Sequence, residues 1–200
     1  MTSKQQGWSA PFNEEVRALL PVHNDEEIKT IGDAVMIRVP EAGEAVRLGL
    51  EIVHTFHTKP GFPVFHVGMH TGSAVKQGSD WLGASVNLAA RVAGAAGGDE
   101  VLLTEATHEA LGEIDGVELE SRGKLRFRNV AESVHVYRAH VQGARVRDLP
   151  IDRVCRMTVA PELRAGHLFH GGQQYSFCSL RCAGAFAGDP DRFVSAAPDN

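Results

Sequence analysis

Asn87 and Arg91 lie four residues apart in the run GSDWLGASVNLAARVAGAA, residues 78–96, so on a helix both side chains leave from one face. Asp80 stands upstream in a predicted loop, Gly83 breaks the run, and Ser85 is placed to cap the helix. Val86, Leu88, Ala89, Ala90, Val92 and Ala93 are small or apolar and read as a packed face. An amide, a permanent cation and a carboxylate together can orient a polar ligand and meet negative charge as it develops. Taken alone, the pattern also fits an amphipathic helix with one solvated Arg. The second chemical set is Cys155, Cys178 and Cys182, the three cysteines of the chain, all in its last quarter. Odd and clustered, they favour metal binding or thiol chemistry over a disulfide framework.

The elements that must position these groups follow from the hydrophobic pattern. Residues 1–11 read as a loose start, and FNEEVRALLPV, residues 12–22, reads as a short helix with Asn13 at its cap and Pro21 at its end. EIKTIGDAVMIRV places two β-prone runs around Gly32-Asp33, a hairpin signal, with Lys29 on the incoming strand and Asp33 in the turn. EAGEAVRLGLEIVHTF stacks Ala45, Leu48, Ile52 and Phe56 on one helical stripe. FPVFHVGMHTG alternates like a strand, with SAVKQ as its partner after a turn at Thr71-Gly72. After the 85–96 helix come a buried strand (DEVLLT), a short helix (EATHEALG) and two or three antiparallel strands up to residue 140. This order predicts an α+β sandwich with a mainly antiparallel sheet. Residues 141–150 read as a linker, and the segment from Ile151 is too small to build a large core without a metal, a disulfide or a partner.

Composition narrows the function. With 20 basic and 25 acidic residues the net charge is −5, which argues against a polyanion-binding surface and so against nucleic acid as a partner. No run reaches the length of a membrane span, and the polar start lacks a signal-peptide core, so the expectation is a cytoplasmic protein without a membrane partner.

Residues 28–140 resemble the catalytic domain of class III adenylate and guanylate cyclases. The resemblance rests on IKTIGDAVM, FHVGMHTGSAV, the D-x-x-G-x-x-V-N-x-A-x-R pattern from Asp80 to Arg91, VLLTEATHEAL and GKLRFRNVAESVHVYR, all in the family's order. It implies a ferredoxin-like cyclase sandwich over residues 1–140 that converts ATP to 3′,5′-cyclic AMP and pyrophosphate with Mg²⁺ or Mn²⁺. Asp33 matches a metal-binding aspartate, and a carboxylate suits such a hard cation. Lys29 and Asp80 match the pair that reads the purine; a donor and an acceptor complement adenine rather than guanine, hence ATP. Asn87 matches the residue that orients the ribose, and Arg91 the one that meets charge on the α-phosphate. Arg128 stands where the family places a cation for the terminal phosphates, with Lys124 a nearby alternative. The family forms its site at a head-to-tail dimer, which implies a homodimer or pairing with a complete cyclase domain. The family's first strand, with its second metal aspartate, has no match here, and Asp25 is out of place to substitute for it. That leaves open a start upstream of Met1, or a cyclase-like module that binds nucleotide or dimerises without turnover.

Residues 151–195 resemble a YHS-type metal-binding domain, related to the TRASH modules, through IDRVCRMTV, FHGGQQYSFCSLRC and AFAGDPDRF. Arg153 and Arg156 stand where the family usually has Pro and Gly. The resemblance implies a metal held by Cys155, Cys178 and Cys182, with Cys155 at a strand end and the other two on one helical face. Three thiolates suit Zn²⁺ or Cu⁺, and His167 and His170 are the candidates for a fourth ligand. A metal sensor or carrier is therefore a further expectation, as is metal control of the cyclase.

Overall fold

The computed structural model describes residues 5–20, 26–31, 34–57, 59, 62–143, 150–159 and 164–194. Its described residues group into two units, one drawn from Met1–Ile52, His66–Ala96 and Glu100–Ala144, the other from Val53–Phe65, Gly97–Asp99 and Arg145–Asn200.

In the first unit, helix α1 (Gln5–Leu19) starts earlier than expected and contains Pro11, so the predicted loose start and the Asn13 cap are both corrected. Its second half is held by Phe12, Val16 and Leu20, buried at intervals of four, and that stripe overrides the hydrogen bond a proline removes. Pro21 and the Gly32-Asp33 turn lie outside the described residues. The hairpin itself is present: β1 (Glu26–Ile31) pairs antiparallel with β2 (Ala34–Arg38), and Lys29 lies opposite Met36 just past an irregularity in the ladder. Helix α2 (Ala42–His57) buries Leu48 and Ile52 in this unit, and the next residue of the same apolar stripe, Phe56, is counted with the second.

The central sheet has the order β3 (Val67–Met69), β6 (Val101–Thr104), β8 (Val134–Val141), β7 (Val117–Leu125). Parallel pairing joins β3 to β6, and the two remaining contacts are antiparallel. All four residues of β6 are buried, which is why DEVLLT reads as an unbroken apolar run rather than an alternation. The crossover from β3 to β6 carries a small hairpin, β4 (Val75–Gln77) with β5 (Asp80–Leu82), and then α3 (Ala84–Ala95). Two expectations fail here. β4 pairs with β5 rather than with the strand before it, and Asp80 opens a strand instead of sitting in a loop. The cause is the Gly78-Ser79 turn, where Gly78 takes φ +62° and folds the chain back after only three residues.

Strand β3 meets α3 at bare backbone. A Cβ added to Gly68 would lie 1.9 Å from the nitrogen of Ala93, so glycine is the residue that lets strand and helix touch. Behind that contact Val92, Ala96 and Leu102 form a buried cluster, with Leu88 and Phe127 packed on it. Helix α4 (Glu105–Ala110) follows β6 directly.

In the second unit, β9 (Gly166–His170) and β10 (Gln173–Phe177) form a hairpin whose turn is Gly171-Gly172, both at positive φ. That is the backbone a tight two-residue hairpin requires, and two glycines supply it without strain. Helices α5 (Leu180–Gly188) and α6 (Pro190–Val194) complete the segment. Tyr175, Phe177, Cys182 and Phe186 form its buried core, with Val154, Leu168, Phe193 and Val194 against it. The same unit holds Phe56 in tilted ring contacts with Phe62 and Phe65. There Thr158 donates its hydroxyl to the carbonyls of Lys59 and Phe62.

Candidate nucleotide site and cysteine cluster

Lys29 and Asp80 are 51 residues apart in sequence and in direct contact in the fold. The Lys29 ammonium donates to Asp80 Oδ2 at 2.6 Å, and the Trp81 backbone N–H donates to Oδ1 at 2.8 Å. The bond from Lys29 is the first cause holding the Asp80 carboxyl below its ordinary range, so it is ionised at neutral pH. Both side chains are about one-third exposed, at 33% and 35%, so a ligand can still reach them. The neighbouring Trp81 ring lies beneath two cations, with the Arg38 guanidinium 4.9 Å and the Lys76 ammonium 5.7 Å from its centre.

Strand β5 adjoins both β1 and α3, so the Lys29–Asp80 pair and the Asn87–Arg91 helix are contiguous. On α3, Asn87 is exposed and Arg91 half-buried, and neither side chain has a hydrogen bond or ion pair among the described residues. Ser85 does not cap the helix. Gly83 occupies the cap position at φ +143° with no side-chain cap bond, and Ser85 lies within the first turn. The helix begins at Ala84, one residue before Ser85, and the Ser85 hydroxyl lies against the loop that follows β3, where a Cβ on Gly72 would sit 2.4 Å from its Oγ. That loop is tied down on its other side. His70 Nδ1 and Thr104 Oγ1 are 2.8 Å apart, and the Thr71 N–H donates to Thr107 Oγ1 at 2.9 Å. Burial pushes the His70 imidazole below its ordinary value, favouring the neutral ring.

Arg128 is exposed in the turn after β7, and Lys124 is exposed on β7 itself. That turn is fixed by Phe127, which packs on the Val92–Ala96–Leu102 cluster, and by the Val130 N–H donating to the Phe127 carbonyl at 3.2 Å. Asp33, the expected metal aspartate, lies outside the described residues.

The three cysteines converge in the second unit. Cys155 Sγ is 3.4 Å from Cys178 Sγ, which is 3.9 Å from Cys182 Sγ. Metal–sulfur bonds of about 2.3 Å in a tetrahedron put sulfurs about 3.8 Å apart, so the donor set fits such an ion. The local geometry differs from expectation. Cys155 sits in a turn rather than at a strand end, and Cys178 precedes α5, so only Cys182 is helical. Ser179 caps α5 by accepting the Cys182 N–H at 3.3 Å, and that cap sets the spacing of the two sulfurs. Burial raises the pKa of both the Cys155 and the Cys178 thiols above the ordinary thiol value.

The fourth group at the cluster is Asp152, with ligand atoms of all four residues within 4.8 Å of one another. The expectation that His167 or His170 completes the set is therefore corrected. His170 pairs with Asp191 at 3.0 Å, and His167 packs edge-on against Phe169. Asp152 was legible as the residue three before Cys155, but an Asp at that spacing reads as a turn residue until Cys178 is brought beside it. Arg156, in place of the usual Gly, takes φ +64°, a left-handed backbone that glycine adopts without strain.

Comparison with known proteins agrees with this architecture over the first two-thirds of the chain. The family model for the adenylate and guanylate cyclase catalytic domain matches residues 10–140. The pH-sensitive adenylate cyclase of Mycobacterium tuberculosis is 38% identical over 114 residues, covering 56% of this chain and 29% of that protein. An adenylate cyclase of Streptomyces coelicolor is 34% identical over 84 residues, 42% of this chain and 22% of its own length. The chain thus spans less than a third of these curated relatives. Among solved structures, an adenylate cyclase from Trypanosoma brucei, in its monomeric state, aligns with a TM-score of 0.63 at 21% identity, covering 72% of this chain and 81% of that one. The guanylate cyclase domain of RhGC from Catenaria anguillulae, solved with GTP, aligns at 0.57 with 16% identity over 70% and 86%. At these identities the structures speak for the fold alone. Because the matched residues make up well over half of its length, the chain belongs to the adenylate and guanylate cyclase catalytic domain family.

Proposed function

We propose that this protein converts ATP to 3′,5′-cyclic AMP and pyrophosphate in intracellular signalling, using a cyclase domain over residues 1–140. The observation that carries this reading is the Lys29–Asp80 ion pair, a donor and an acceptor side by side next to the helix that carries Asn87 and Arg91. Adenine offers an amino group to Asp80 and a ring nitrogen to Lys29. Guanine would turn a carbonyl lone pair toward the carboxylate, and a site built for one pattern rejects the other steeply. Asn87 orients the ribose so that its 3′-oxygen can attack the α-phosphate. Arg91, fixed in charge and planar, stabilises the negative charge gathering on that phosphate. Arg128, or Lys124 beside it, holds the leaving phosphates. Asp33 is the residue assigned to Mg²⁺ or Mn²⁺, which when bound supplies Lewis-acid charge neutralisation on the phosphate oxygens. The site is completed in a homodimer or with a complete cyclase partner, in the cytoplasm.

The segment 151–195, which follows the end of β8 at Val141, is assigned as a YHS-type domain that binds Zn²⁺ or Cu⁺ through Cys155, Cys178 and Cys182. The sulfur spacings support it. Metal occupancy would bias cyclic AMP output if the ion binds two states of the protein with different affinity.

The assay is purified protein with ATP and Mg²⁺ or Mn²⁺, with cyclic AMP as readout. Arg91→Ala is expected to lower kcat by about 10²–10³ with little change in KM, the signature of a contact made in the transition state. Asp80→Ala is expected to lower the ATP-over-GTP preference by about 10–150-fold, the worth of one charged hydrogen bond. A second reading, a nucleotide-binding module without turnover, is favoured by Asp33 being the single match to the family's two metal aspartates. It stands if ATP binds in equilibrium dialysis but no product forms with either metal.

A further inference from the structure

Asp152 is fully buried, and its carboxylate is already engaged. Oδ1 accepts the backbone N–H of Val154 at 2.9 Å and of Cys155 at 3.4 Å, and Oδ2 accepts that of Cys178 at 2.9 Å. The same residue closes its own loop through backbone bonds to Met157 and Arg156. One carboxylate therefore ties together two segments 26 residues apart, and each segment carries a thiol that belongs to the cluster. An anion holding three N–H donors is satisfied without a metal.

We infer that Asp152 is a positioning residue rather than a ligand. It holds Cys155 and Cys178 at metal-binding separation and leaves the ion with three sulfurs and one coordination position. That position opens beside Cys155, the exposed member of the cluster, and takes a small exogenous donor such as water, imidazole or a thiol. An open position of this kind admits an exogenous donor, whereas a zinc centre closed by four protein ligands is structural. The inference rests on reading the cysteine cluster as a metal site, and the test separates the two.

The probe is Co²⁺ added to the full-length, reduced protein, followed by its visible and charge-transfer spectrum. In the unaltered protein, imidazole is expected to shift the Co²⁺ bands and saturate. Asp152→Asn is expected to keep the sulfur-to-cobalt band while binding Co²⁺ about 10–100-fold more weakly, as loss of a supporting hydrogen bond does. In metal-free protein, Asp152→Asn should speed amide hydrogen exchange at Cys155 or Cys178 by about tenfold, one lost hydrogen bond. A spectrum indifferent to imidazole in the unaltered protein but responsive in Asp152→Asn makes Asp152 the fourth ligand and overturns the proposal. If Co²⁺ binds equally well to Cys178→Ser, the metal reading itself fails. The role of Asp152 as a backbone tie is then judged on amide exchange alone, and unchanged rates overturn it.

Discussion

Replacing Gly68 with Ala demands space that the fold does not have. The new methyl carbon would lie 1.9 Å from the Ala93 nitrogen, 2.3 Å from its Cα and 2.6 Å from the Val92 carbonyl carbon. Ordinary contacts of a Cβ begin at 3.4 Å, so β3 and α3 must part by about 1.5 Å at their crossing. All three obstructing atoms are backbone, so no side chain can swing aside. Overpacking of this kind costs about 1–3 kcal/mol, and the rigid neighbours put Gly68→Ala at the upper end, about 3 kcal/mol. For a chain of this length that is a fall in Tm of about 6–12 °C. Gly94→Ala is the control on the same helix. Nothing lies within 4 Å of a Cβ there, and its φ is not in the left-handed region. Helix propensity alone should then stabilise Gly94→Ala by about 0.8–1 kcal/mol, raising Tm by roughly 2–4 °C. Scanning calorimetry on the two variants measures both signs. A Gly68→Ala protein melting within 2 °C of the parent, or a Gly94→Ala protein as damaged as Gly68→Ala, would refute the close backbone approach of β3 and α3.

Two further outcomes follow from particular contacts. Tyr137 donates its hydroxyl to Glu105 Oε1 at 2.9 Å between stacked rings of His108 and His135, and that bond raises its pKa above 10. Its contribution to stability is therefore complete below pH 10 and lost as pH rises through the folded-state value. In an ultraviolet pH titration, Glu105→Gln should move phenolate formation to lower pH, and an unchanged titration would sink the assignment. The same bond lowers the Glu105 carboxyl, so that group's contribution is present above pH 4.5 and lost in acid. On the cysteine side, Zn²⁺ at 100 times its Kd should stabilise the second unit by about 2.7 kcal/mol, and a chelator should reverse the effect. Equal melting of reduced protein with and without Zn²⁺ would count against a metal site.

What the sequence determined by itself was periodic or contiguous. The buried stripe of α2, the apolar run of β6 and the four-residue spacing of Asn87 and Arg91 are local patterns, because side-chain direction along a helix or strand follows from backbone geometry. The order of five short motifs was enough to point to the cyclase family, and the Gly171-Gly172 pair between two short β-prone runs is a local hairpin signal. Tertiary structure decided whatever depends on distant segments meeting. It brought Lys29 onto Asp80 and set Ser85 against the loop at Gly72. It also drew Asp152 under Cys178 and sent His170 to Asp191. Each of these is a hydrogen bond or close contact between residues 13 to 51 apart in the chain. Its partner is chosen by which backbones pack together, and no residue type or spacing encodes that choice locally.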